Sequence, residues 1–107
     1  MRMRDYEESA MSFDLTADID PVLRVQHMRH GSTEELGEMA GLDKRLIRDG
    51  QVPDTATVIK EYGDRLWYLV GEINASGLSL EEVAITNIRK LSDRKVRGVI
   101  SGKGGER

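Results

Sequence analysis

The sequence contains no cysteine. A disulfide framework, a thiolate metal site and a cysteine nucleophile are therefore excluded together, and with them zinc ribbons, cysteine hydrolases and thiol redox chemistry. Proline occurs only at Pro21 and Pro53, each ahead of a helix-like pattern and not inside one. No apolar run approaches the roughly 18 residues of a membrane span, and the first eight residues, Met1 to Glu8, lack the apolar core of a secretory signal. No membrane contact is expected, and the cytoplasm is the expected compartment. No stretch alternates apolar and polar residues over strand length between turn signals, so the chain is expected to be all-α. What remains is 107 residues, 38% hydrophobic and 33% charged, which suits one globular domain with a modest core. In so short a chain, any large active site is expected to be shared with a second copy.

The net charge of −3 is small, but it is unevenly spread. Residues 1–20 carry −4, residues 21–88 another −4, and residues 89–107 carry +5. On charge alone a basic tail is a nucleic-acid footprint, a phosphate-binding strip or a solvated terminus, and composition does not choose among them.

The strongest periodicity lies in residues 54–76. Val58, Tyr62, Leu66, Leu69, Val70 and Ile73 recur at spacings of three and four, Pro53-Asp54 opens the pattern and Gly77 closes it. Ser79 and Glu82 then form a capping box for a helix carrying Leu80, Val83, Ala84, Ile88 and Leu91, expected to run to about Asp93. Upstream, Ser32 or Thr33 is placed to cap a helix with Leu36, Met39, Leu42, Leu46 and Ile47, ended by Asp49-Gly50. Residues 20–30 read as another helical piece, either separate or continuous across Gly31, and residues 5–13 as a weaker one. These segments predict a small antiparallel bundle of four to five helices. The tail from Gly98 holds four of the eleven glycines and little to bury, so it is expected to order only where something holds it. Gly98 to Gly104 does not make a phosphate loop, because the spacing, the hydroxyl after the lysine and the preceding strand are all wrong.

Two of these helices carry carboxylates three residues apart, Glu35 and Glu38 on one, Glu61 and Asp64 on the other. At about 100° per residue each pair points to one side of its helix, and Glu61, Asp64 and Tyr68 share an arc flanking the apolar stripe. Four converging carboxylates repel unless neutralised. All-oxygen ligation selects a hard divalent cation, Mg²⁺ or Mn²⁺. A di-iron bundle is excluded, since neither His27 nor His30 lies three residues after a glutamate, and both histidines read as surface residues. Taken singly, each pair is most often a solvated face, and Glu61 equally fits pairing to Arg65 at i, i+4.

Glu34-Glu35-Leu36-Gly37-Glu38, then 22 residues, then Glu61-Tyr62-Gly63-Asp64 resembles the EExxE…ExxD signature of the MazG-like nucleotide pyrophosphohydrolases. Gly63-Asp64-Arg65-Leu66-Trp67-Tyr68-Leu69 is similar to the family's GDxLWYL stretch. Gly77 to Ala84, Asn87 to Arg94, and Arg97-Gly98-Val99 with Ser101-Gly102 resemble its final helix and tail. The resemblance implies an all-α, Mg²⁺-dependent enzyme that cleaves a nucleoside triphosphate between the α and β phosphates. It also implies Glu35, Glu38, Glu61 and Asp64 as metal ligands, with Glu34 an outer partner or base. Lys44 falls where the family often has a basic residue. Asn87, Lys90 and Arg94 share a face toward triphosphate or sugar, and Tyr68 is placed to contact base or sugar.

The resemblance covers residues 33–107, which divides the chain into a poorly matched N-terminal segment (1–32), a catalytic core (33–96) and a Gly-rich basic tail (97–107). Two departures are Arg65, at a usually apolar position, and Gly41, where an acid or amide is common. A homodimer or homotetramer is expected, because a single short bundle leaves apolar surface around Trp67. A nucleotide is the expected partner, and nucleic acid is not. The alternatives are a non-catalytic helical binding module on the same scaffold, or a dedicated dUTP or phosphoribosyl-ATP pyrophosphohydrolase.

Overall fold

The computed structural model describes residues 1–98, which form four helices with no strand among them: α1 (Met3–Met11), α2 (Pro21–Asp49), α3 (Thr55–Ala75) and α4 (Leu80–Arg97). Expectations for the tail beyond Gly98 lie outside the described residues. Helices α2, α3 and α4 start where the sequence supplies acceptors for their first free N–H groups. The Asp20 carboxylate accepts from Val22 N at 2.9 Å with Pro21 next in line, Asp54 accepts from Thr57 N at 2.7 Å, and Ser79 Oγ accepts from Glu82 N at 3.1 Å. Such caps stabilise a helix by about 1 kcal/mol each. Gly50, Gly77 and Gly98 follow the helix ends at φ of 67°, 77° and 73°, the left-handed conformation that stops a helix most cheaply when no Cβ is present.

α2 is continuous through Gly31, and Ser32 and Thr33 cap nothing; Thr33 Oγ1 instead donates to the Arg29 carbonyl at 3.2 Å. The glycine is needed for packing. A Cβ on Gly31 would run into the ring of Tyr68, and one on Gly71 would run into Met28, so these two glycines mark where α2 and α3 approach most closely. The antiparallel α2/α3 pair is the frame of the molecule.

The other two helices are attached to one end of that frame. Trp67 Nε1 donates to the Ala10 carbonyl at 2.8 Å, fixing α1 on α3, and Leu80 N donates to Glu7 at 3.3 Å, fixing the start of α4 to α1. The connection from α1 to α2 is held by Arg24, which donates to Asp14 at 2.8 Å and to Asn74 at 2.9 Å. The Asp14 side chain is only 1% exposed. Burial works against its charge, but donors from Thr16 and Arg24 outweigh that and hold its pKa below the usual carboxylate value.

The core is correspondingly small: Ala10, Met28, Val70 and Ile73 are its buried hydrophobic residues. α4 does not pack on α2, and the radius of gyration is 16.9 Å, against about 13 Å for a compact chain of this length. The all-α architecture is thus an open one. The stripe on α3 is only partly internal: Val70 and Ile73 are buried, whereas Tyr62, Leu66 and Leu69 are 56%, 41% and 47% exposed. Trp67 is half-buried against α1, so the apolar surface left open on this helix is around Leu66 and not, as the sequence suggests, around Trp67.

Candidate functional site

Because α2 and α3 are antiparallel and cross at glycines, the acid-bearing arcs of the two helices face each other. Glu35, Glu38 and Glu61 each bring a carboxylate oxygen within 4.8 Å of the others. Glu35 and Glu61 are half-buried, and each has one enclosed oxygen, Oε2, with no hydrogen-bond partner among the described residues. Glu38 is exposed, so the cluster has an inner wall and an open rim; Asp64, also exposed, is not one of the three converging carboxylates, although its charge acts on Glu35 and Glu61.

The electrostatics record the crowding. Burial, followed by the charges of Glu38 and Asp64, a hydrogen bond to Glu38 and the charge of Glu61, pushes the Glu35 carboxyl up to about 7. Glu61 is raised by the same kind of burial, by the Glu38 and Asp64 charges and by hydrogen bonding to Glu38. Buried carboxylate oxygens without donors are costly, and a positive ligand is the simplest way to satisfy them. An all-carboxylate donor set of this spacing suits a hard divalent cation.

Tyr68 is half-buried over Gly31 and meets Trp67 edge to face, with ring centroids 5.1 Å apart at 89°. Its phenol is raised by burial and then by the charges of Glu35, Glu34, Asp64 and Glu38, which places it beside the acids. Glu34 is exposed on the same side of α2 as that ring.

The remaining residues singled out by the sequence lie elsewhere in the single chain. Lys44 is exposed farther along α2. Asn87 and Lys90 are exposed on α4, where with Leu78, Glu82, Val83 and Thr86 they line a groove of about 390 Å³. Arg94 is 5% exposed while its neighbours Asp93, Lys95, Val96 and Arg97 are exposed, so Asn87, Lys90 and Arg94 do not form one solvent-facing strip. His27 and His30 are exposed, as expected. Arg65 does not pair with Glu61. Its Nη1 lies 3.4 Å from Met39 Sδ on α2, a contact that i, i+4 spacing within one helix gives no means of anticipating.

A family model described as the MazG nucleotide pyrophosphohydrolase domain matches residues 24–98. The match begins inside α2, nine residues before the boundary drawn from the sequence, consistent with that helix being unbroken. The chain is also 33% identical over 94 residues to the Gene 37 protein of Mycobacterium phage L5, an alignment covering 84% of this chain and 82% of the phage protein. No solved structure matches significantly. Since the matched span holds both acid-bearing helices and most of the chain, the protein belongs to the MazG nucleotide pyrophosphohydrolase family.

Proposed function

We propose that the protein is a Mg²⁺-dependent nucleoside triphosphate pyrophosphohydrolase that releases a nucleoside monophosphate and pyrophosphate, with nucleotide-pool house-cleaning as its role. The observation that carries this reading is the pair of enclosed, unpartnered oxygens on Glu35 and Glu61, within a glutamate cluster on the helices that the family model spans. Glu35, Glu38, Glu61 and Asp64 would hold the cation, with Mn²⁺ as the nearest substitute for Mg²⁺. When bound, the cation supplies charge neutralisation for the phosphates and acidifies water for in-line attack.

The chain's own groups do the rest. Glu34, exposed on the same side of α2, would act as an outer partner or base, and the Tyr68 phenol beside the acids would donate to a sugar or base. Lys44 is a cation for substrate along α2. Asn87 and Lys90 stand on a helix that does not pack on α2, so they would meet substrate held by a neighbouring subunit. Arg94 is buried and is assigned no substrate contact. Homo-oligomerisation is part of the proposal, because the open frame leaves Tyr62, Leu66, Leu69, Ile85 and Ile88 uncovered.

The test is Mg²⁺-dependent pyrophosphate release. Glu38→Ala or Asp64→Ala is expected to lower it by at least 10²-fold while leaving helical circular dichroism intact, given what metal-assisted catalysis contributes.

A further inference from the structure

We infer that Arg65 is a substrate-binding residue that contacts the phosphate chain of the nucleotide, an inference resting on the function proposed above. Arg65 follows Asp64 directly on α3 and reaches across to α2 at Met39, the neighbour of Glu38. It therefore bridges the same two helices that carry the acidic cluster, next in sequence to Asp64 and in contact with the residue that follows Glu38. Yet among the described residues it makes no ion pair with any carboxylate, and its one hydrogen-bond acceptor is a thioether sulfur, among the weakest in a protein. A guanidinium has five N–H donors in a planar fork matched to phosphate oxygens, and here nearly all of them are unspent.

The side chain is also reachable. It lines, with Ser32, Tyr62, Leu66 and Leu69, an open groove of about 430 Å³ along the flank of the α2/α3 seam. A polyanionic ligand drawn to cations at the glutamates needs positive charge on its far side as well, and leaving pyrophosphate gains charge as the anhydride bond breaks. Arg65 supplies a cation between the two acid-bearing helices without consuming a carboxylate.

The experiment measures binding of inorganic tripolyphosphate at saturating Mg²⁺ to the wild-type protein and to Arg65→Met, Arg65→Gln and Arg65→Lys, alongside Mg²⁺ binding alone and nucleotide KM. Loss of charge-assisted hydrogen bonds is expected to weaken tripolyphosphate binding about tenfold or more in the Met and Gln variants and to raise KM, with partial recovery in the Lys variant. Mg²⁺ affinity without phosphate is expected to stay the same or rise, since a neighbouring cation has been removed. Unchanged or tighter tripolyphosphate binding in whichever neutral variant retains wild-type circular dichroism would overturn the assignment. If the wild-type protein itself neither binds tripolyphosphate with Mg²⁺ nor hydrolyses a nucleotide, the proposed function fails, and the role of Arg65 with it.

Discussion

Glu35 carries the clearest physical signature in the molecule: a carboxyl held at about 7, with one enclosed oxygen that nothing among the described residues satisfies. Because its folded-state pKa lies above the ordinary 4.5, the native protein holds a proton that the unfolded chain releases first. Its contribution to stability is therefore full below about pH 4.5, falls as pH rises through about 7, and is flat above. In metal-free buffer the melting temperature is expected to be lower at pH 8 than at pH 5. Adding Mg²⁺ is expected to raise it more at pH 8 than at pH 5, because the ligands must be deprotonated to bind. Glu35→Gln removes the repulsion along with the ligand. It is expected to melt a few degrees higher than wild type at pH 8 without metal, to lose the Mg²⁺-induced shift and to lose activity. A Gln variant that melts lower and still responds to Mg²⁺ would show that Glu35 is an ordinary buried polar residue. Of these properties, the spacing of Glu35 and Glu38 was readable in the sequence, but the enclosure of one oxygen was not, since it depends on what α3 places opposite.

At the scale of the helices, boundaries were legible because caps and stop glycines are local chemistry: Asp54, Ser79, Gly50 and Gly77 act within a few residues of where they stand. The junction at Gly31-Ser32-Thr33 was ambiguous for the same reason. A glycine followed by two hydroxyl residues is the local code for a break, and whether it is one depends on Tyr68, far away in the chain. The orientation of α3 was only half legible. Apolar periodicity defines a stripe, yet the acidic arc and Gly71 are what turn toward α2, because closest approach is set by the glycines and not by the most hydrophobic face. Gly31→Ala tests this account of the seam. Although alanine favours a helix interior by about 1 kcal/mol, displacing the Tyr68 ring is expected to dominate, for a net loss of about 1–3 kcal/mol in denaturant unfolding. Gly37→Ala, on the same helix with nothing within 4 Å of the added Cβ, is expected to gain about 0.5–1 kcal/mol. If both variants gain stability, Gly31 is not where the helices meet.

On the scale of the whole molecule, the chain is too open to be a finished globule. A radius of gyration of 16.9 Å and, among the described residues, four buried hydrophobic side chains and an α4 that packs on α1 and α3 but not on α2 describe a frame with exposed apolar faces. Shortness alone leads to the expectation of a shared site, and the sequence placed the open surface around Trp67, which is half-buried against α1, whereas Tyr62, Leu66 and Leu69 are the exposed residues of that helix. Light scattering after size exclusion is expected to give a dimer or larger at micromolar concentration, and Leu66→Glu together with Leu69→Glu to shift it toward monomer. A wild-type monomer at those concentrations would contradict the shared site. The central claim is chemical, and product identity tests it most directly. A panel of standard and modified nucleoside triphosphates is incubated with the protein and Mg²⁺, and the products are resolved by phosphorus NMR. Nucleoside monophosphate and pyrophosphate in equal amounts from at least one substrate, abolished by chelation, is the expected result; diphosphate with orthophosphate, or no turnover of any substrate at adequate enzyme, would contradict it.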